Sequence, residues 1–393
     1  MTKLTLKSDN LPLFDQEIKK HGERVTTFIR QEIHDQGGQI TFAQFMKLAL
    51  YAPGLGYYSA GLRKFGPDGD FVTAPEISPL FAYCLANQCQ SILAELTNPI
   101  ILEFGAGTGM LAAELLLTLK KQNALPQKYL ILEISADLRN RQQNLLRQRC
   151  PDLMERIIWL DGLPTEKFDG IILANEVLDA MPIHRFQLND TNIKEYYVAV
   201  YNDEFTWQLD APSSSELIQA IKPIQKILPN ISHYDSEINL MLGGWLSSCS
   251  ALLNRGLILL LDYGFPRHEY YHPQRNMGTL MCHFRHRSHD NPLILAGLQD
   301  ITAHVDFTLI AEKAINVGLS VSGYTTQANF LLNCGLTQFL SSTSTEQQLK
   351  LSNQIKRLTL PSEMGELFKV IALTRAIHTD LMGFQSGDRR GFL

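Results

Sequence analysis

Five short runs of almost unbroken apolar residues constrain this chain more than anything else in it. They span 100–104 (IILEF), 129–132 (YLIL), 157–160 (IIWL), 169–174 (DGIILA) and 256–261 (GLILLL), and helical patterns such as 110–119 lie between them. A strand that is half exposed alternates apolar and polar residues. A strand that is apolar throughout is buried on both faces, as in a parallel sheet covered by helices on either side. In such sheets ligands bind beyond the carboxyl ends of the strands. Here those ends read Gly105-Ala106-Gly107-Thr108-Gly109, Glu133, Asp161-Gly162, Asn175-Glu176 and Asp262-Tyr263-Gly264. The expected fold is α/β, a Rossmann-like, doubly wound, mostly parallel sheet.

Around this core, residues 12–50 read as helices, with Ile18, Val25, Ile29 and Ile33 at helical spacing. Residues 51–79 are rich in Gly, Pro and aromatics and are expected to form a lid loop, and 80–96 return to helix. Residues 184–210 (HRFQL, EYYVAVY, EFTWQL) predict an antiparallel meander inserted after the fourth strand. A long His- and Arg-rich loop is expected over 265–305, then a helix over 307–317 and strands over 319–325 and 368–374. The division expected is a helical N-terminal region with the lid (1–98), a Rossmann-like core with a β insertion at about 184–250 (99–264), and a C-terminal part completing the sheet (265–393).

At 45% hydrophobic and 19% charged, the chain can bury a core and is not globally disordered. A net charge of −5 lacks the basic footprint of a general nucleic-acid binder. No apolar run reaches the roughly 18 residues that span a bilayer. The opening MTKLTLKSDNLPLF carries neither a secretory apolar core nor an Arg-rich amphipathic leader, so the expected location is the cytoplasm. The six cysteines form no CxxC pair and read as reduced thiols.

The segment Glu103-Phe104-Gly105-Ala106-Gly107-Thr108-Gly109 is the strongest local signal. A glycine turn between the first strand and its helix lets a ligand approach the backbone, and the helix amides favour a negative group. Dinucleotide enzymes space this turn GxGxxG. Here it is GxGxG, and an acid sits two residues before the first glycine. A carboxylate there suits the cationic ammonium of a methionine moiety and would repel a pyrophosphate. Glu133 ends the second strand, where an acid commonly accepts ribose hydroxyls, and Asp161 after the third is expected to reach an adenine amino group. The bland alternative for all three is a structural glycine turn with solvated acids.

With these residues in place, the chain resembles the MidA family of methyltransferases, whose mitochondrial members are complex I assembly factors that methylate an arginine. The resemblance covers roughly 20–375. Besides the glycine turn, it is carried by Gly56-Tyr57-Tyr58, by Gly69-Asp70-Phe71-Val72-Thr73-Ala74-Pro75-Glu76-Ile77-Ser78 and by Ala174-Asn175-Glu176-Val177-Leu178-Asp179-Ala180-Met181-Pro182. Further along come Asp262-Tyr263-Gly264, Asp300-Ile301-Thr302-Ala303-His304-Val305-Asp306-Phe307 and Met364-Gly365-Glu366-Leu367-Phe368-Lys369-Val370. It implies the class I methyltransferase fold, S-adenosylmethionine as cofactor and an arginine substrate on a partner protein such as a respiratory complex subunit. With no mitochondrial leader in view, the chain reads as a bacterial member. A homodimer remains an option.

Arginine is a hard acceptor, because its guanidinium stays protonated and its lone pairs are delocalised. A site that methylates it needs carboxylates to hold the fork and localise charge on the far nitrogens. Glu176 and Asp179, spaced i, i+3, fall on one face of a first helical turn if NEVLDA opens a helix, and are the leading clamp candidates. The alternative for NEVLDA is capping, with Asn175 as the cap and the acids favouring the macrodipole. Glu76 offers a third carboxylate from the lid. His304 is a candidate proton shuttle and Asp306 a helix cap, although a lone His is more often structural. Cys282, His283, His286 and His289 resemble a metal cluster, but no second ligand pair accompanies them, so no metal is expected. Arg275, Arg285 and Arg287 make that loop basic, suited to an acidic partner. The competing functions are small-molecule methylation, a cofactor-binding assembly chaperone that transfers nothing, and a nicotinamide oxidoreductase, against which the GxGxG spacing and Glu103 speak.

Overall fold

A computed structural model describes residues 16–60, 73–189, 192–228, 231–338 and 345–393 of the chain. They form two compact units, each assembled from three stretches of sequence. Of the described residues, one takes those within 73–178, 243–266 and 305–393, and the other those within 16–60, 179–242 and 267–304.

The first unit is built on seven strands: β1 (Ile100–Phe104), β2 (Lys128–Leu132), β3 (Ile157–Leu160), β4 (Phe168–Asn175), β5 (Leu253–Phe265), β6 (Ser320–Thr326) and β7 (Phe368–Arg375). Their order across the sheet is 6-7-5-4-1-2-3, with a two-residue strand, Val305–Asp306, added beside the end of β5. The ladders from β5 through β3 are parallel, and β7 runs antiparallel to both its neighbours. The expected strands are therefore present, and their apolar character has its predicted cause. Ile101, Leu173, Leu257 and Val370 are buried in one continuous cluster with Leu85, Ile92 and Leu115 from helices Pro79–Glu95 and Met110–Lys121. The strands meet tightly at their amino ends. A Cβ on Gly170 would lie 1.8 Å from the carbonyl of Ile100, and one on Gly256 1.8 Å from that of Gly170. Asp306 caps helix Phe307–Asn316 by accepting from the amide of Leu309, as its sequence position suggested.

The second unit contains the expected meander. His184–Asn189 and Glu204–Asp210 pair antiparallel with Asn192–Tyr201, and Tyr234–Ile238 extends the sheet beyond His184–Asn189. Two expectations need correction. The helical reading of 12–50 is interrupted by a strand, Gln39–Thr41, that pairs with Asn192–Tyr201. Thr41 then opens helix Phe42–Tyr51 through a reciprocal capping box with Gln44, which sets the break between helices. The long loop expected over 265–305 instead holds a short helix, Arg267–Tyr270, and a three-stranded antiparallel sheet of Arg287–His289, Met281–Phe284 and Asp300–Thr302. These strands are three or four residues long, too short to display a periodic pattern. Val25, Ile29, Phe42, Phe45, Val198 and Ile301 share this unit's core. Much of the expected lid, 61–72, lies outside the described residues.

Candidate active site

The site expected from sequence lies at the carboxyl ends of β1 to β4. The turn after β1 keeps Gly105, Gly107 and Gly109 at φ of 61°, 55° and 88°, the left-handed region that side chains disfavour. Space is short as well: a Cβ on Gly105 would lie 3.2 Å from Val177 Cγ2, and one on Gly109 3.2 Å from the Cα of Gln142. Gly109 gives helix Met110–Lys121 no side-chain cap, although Thr108 Oγ1 accepts the amide of Met110 at 3.4 Å, and the first turn presents positive potential at the glycine turn. Ala106 is buried within it. Thr108 donates its hydroxyl to Glu76, which stands on the one-turn helix Ala74–Ile77, so Glu76 is tied to the glycine turn.

Glu133 follows β2 with its carboxylate nearly buried. One oxygen accepts the amide of Ser135 at 2.9 Å and the other the side-chain amide of Gln142 at 3.0 Å. Glu103 is 2% exposed, and one of its oxygens accepts the hydroxyl of Tyr129 at 2.8 Å. Burial pushes its pKa up to about 7; the Tyr129 bond works against this and the neighbouring Glu133 adds to it. Asp161 points to solvent and pairs with Arg139 at 2.7 Å, and Arg139 also donates to the carbonyl of Leu160.

At the end of β4 the expected helical turn is absent. Residues 176–181 make bends and a turn, and Glu176 itself is left-handed at φ 53°. The reason lies in the neighbouring strand. The amide of Glu176 donates to the carbonyl of Leu261 and that of Leu178 to the buried carboxylate of Asp262, both at 2.9 Å. These bonds tie the segment to the neighbouring strand while Glu176 turns left-handed, and a right-handed helix cannot start from that φ, so Asn175 caps nothing. Its side-chain amide reaches the Glu176 carboxylate at 3.3 Å. Glu176 and Asp179 are thus not brought onto one helical face, and the boundary between the two units falls between Leu178 and Asp179.

In its own unit Asp179 is buried, and its carbonyl accepts the amide of Ala303 at 3.0 Å. Tyr58 donates its hydroxyl to Asp300 at 2.9 Å and stacks on Tyr51 at 5.5 Å. Burial raises the Tyr58 pKa well above its ordinary value, and the charges of Asp300 and Asp179 add to the effect. His304 is half-buried, with its amide on the hydroxyl of Thr279. The Cys/His segment is a hairpin in which Cys282 faces His289. Burial lowers the pKa of His283 to about 4 and that of His289 as well, so both rings are neutral at pH 7. Among the described residues, no group of three or more His, Cys, Asp or Glu is placed to hold a metal.

Sequence reading missed the roles of Gln142 and Tyr129, and placed Asp262 at a strand end without its bond to Leu178. Gln142 did carry a signal, since it replaces an apolar residue in the buried stripe Leu138, Gln142, Leu146 of helix Ala136–Arg149.

A parallel sheet with one antiparallel strand, 6-7-5-4-1-2-3, carrying a cramped glycine turn after β1 and an acid after β2, defines a class I methyltransferase. Residues 84–325 match the family described as "Putative S-adenosyl-L-methionine-dependent methyltransferase". The chain is similar to a COG1565 superfamily member from Burkholderia thailandensis bound to S-adenosyl-homocysteine. The two are 40% identical with a TM-score of 0.92, over 98% of this chain and 100% of that one. It is also similar to the Drosophila melanogaster protein arginine methyltransferase NDUFAF7 homolog, mitochondrial, at 28% identity over 86% of this chain and 82% of the relative. The human protein arginine methyltransferase NDUFAF7, mitochondrial, is 26% identical over 86% and 80%. The chain belongs to this S-adenosyl-L-methionine-dependent family, of MidA type. The cradle fits the cofactor, because three glycines at left-handed φ allow close backbone approach and the first-turn helix amides suit the carboxylate of its methionine moiety.

Proposed function

We propose that this chain is a protein arginine N-methyltransferase, with respiratory complex I type subunits as the first substrates to try. The observation that carries the reading is Glu176. An acid is held directly after β4 in a left-handed conformation that costs a non-glycine residue about 1–2 kcal/mol. Backbone strain of this kind concentrates where a side chain must be aimed. The relatives named as arginine methyltransferases support the same reading.

In this reading the glycine turn and the amides of helix Met110–Lys121 hold the methionine end of the cofactor, with Ala106 packed beneath. Glu103 faces its ammonium, Glu133 accepts the ribose hydroxyls, and Asp161 borders the adenine. The bound cofactor supplies an electrophilic methyl group on a sulfonium. The protein provides alignment rather than a covalent nucleophile. Glu176 accepts N–H bonds from the guanidinium, which concentrates positive charge on the gripped nitrogens and leaves the attacking nitrogen richer in electrons. Asn175 steadies that carboxylate, and Glu76 is a further acid in the same unit. Asp179 and His304, nominated by sequence as a second clamp acid and a proton shuttle, are tested by Asp179→Asn and His304→Ala.

The experiment is mass spectrometry of arginine methylation in cells with and without the protein, paired with transfer of labelled methyl from cofactor to complex I type subunits by the purified chain. Methylarginine that disappears with the gene and is restored in vitro supports the proposal. Cofactor binding with no transfer to any protein points to a chaperone, and label on small molecules alone to a metabolite enzyme; either result overturns it.

A further inference from the structure

Helix Ala136–Arg149 has a mainly polar sequence, yet Gln142 lies fully buried between Leu138 and Leu146. Its side-chain amide nitrogen donates to the carbonyl of Gly107 at 2.9 Å and to the second oxygen of Glu133 at 3.0 Å. Its oxygen accepts the indole N–H of Trp159, on β3, at 3.0 Å. One side chain therefore joins the loop after β1, the acid after β2 and strand β3. One turn earlier on the same face, Arg139 holds the carbonyl of Leu160 and the carboxylate of Asp161. The Cα of Gln142 also closes the space above Gly109.

A buried amide placed among a main-chain carbonyl, a carboxylate and an indole has little freedom, because breaking any of these bonds strands a polar group. We propose that Gln142 is a positioning residue for cofactor recognition. It fixes the orientation of the Glu133 carboxylate relative to the glycine turn, so that the acid meets the ribose hydroxyls without first being ordered. The inference rests on the reading of Glu133 as the ribose acid. Gln142 itself touches no reacting atom. Its effect is preorganisation, which appears as discrimination between ligands that have or lack the hydroxyls.

The test uses the full chain and two probes, S-adenosylhomocysteine and its 2′,3′-dideoxy analogue, titrated calorimetrically into wild type, Gln142→Leu and the near-isosteric Gln142→Glu. Wild type is expected to prefer the hydroxylated ligand by about 10–100-fold, the scale of hydrogen bonds to a charged group. In both variants the preference should fall below about threefold. In Gln142→Glu it should recover partly as the pH drops and the two carboxyl groups share a proton. A merely structural role weakens both ligands equally and leaves the ratio intact, so a wild-type ratio in either folded variant overturns the proposal. A wild type with no preference would instead remove the ribose role of Glu133.

Discussion

Replacing Glu103 with Gln separates what this acid costs the fold from what it does for the cofactor. Its pKa rises from an ordinary 4.5 to about 7 on folding, first because burial removes its water. Between those values the folded protein keeps a proton that the unfolded chain has lost. Stability therefore falls as pH rises through the window and is level above it. Each pH unit carries about 1.4 kcal/mol, so the ionised carboxylate costs about 3 kcal/mol near pH 8. Glu103→Gln keeps an acceptor for the Tyr129 hydroxyl but has no charge to bury. The variant is expected to match wild type near pH 4.5 and to exceed it by up to about 3 kcal/mol near pH 8, measured by urea unfolding across the range. Cofactor binding should move the other way. An ammonium beside Glu103 favours the carboxylate, so wild type should release a proton on binding S-adenosylmethionine below pH 7. Calorimetry in buffers of different ionisation enthalpy detects this. Glu103→Gln should release none and bind about 10–100-fold more weakly, the scale of a charge-assisted bond. A stability gap that does not change with pH refutes the buried-charge account. Equal proton release in the two proteins refutes the placement of Glu103 beside the ammonium.

Gly107→Val puts a branched side chain at φ 55° in the turn and should abolish S-adenosylhomocysteine binding by calorimetry while the chain still folds. Glu176→Gly relieves the left-handed strain and should raise stability by about 1 kcal/mol while eliminating methyl transfer, and Glu176→Gln should bind cofactor normally and lose transfer. Normal turnover by either variant removes Glu176 from the clamp. Gly170→Ala drives a methyl into the carbonyl of Ile100 and should cost 3 kcal/mol or more, to about 5, read as a lower urea midpoint; a neutral result would mean that β1 and β4 can separate at that point.

The sequence by itself determined the sheet and the cofactor. Strands buried on both faces must be largely apolar, which made β1 to β5 legible, and turn positions held at left-handed φ favour glycine. The helix cap at Asp306 and the meander were legible for the same reason, since each depends on residues close in the chain. What the sequence did not determine rests on partners far along it. NEVLDA has the composition of a helix start, but Glu176 is left-handed and the segment is tied to Leu261 and Asp262, more than 80 residues away, so it forms a bend. Gln142 stands in a buried stripe, but that it joins Gly107, Glu133 and Trp159 is decided by elements distant in the chain. The division into two units belongs to the tertiary structure for the same reason. Each draws on three separate stretches, and local patterning reports which residues want burial but not which distant residues will bury them.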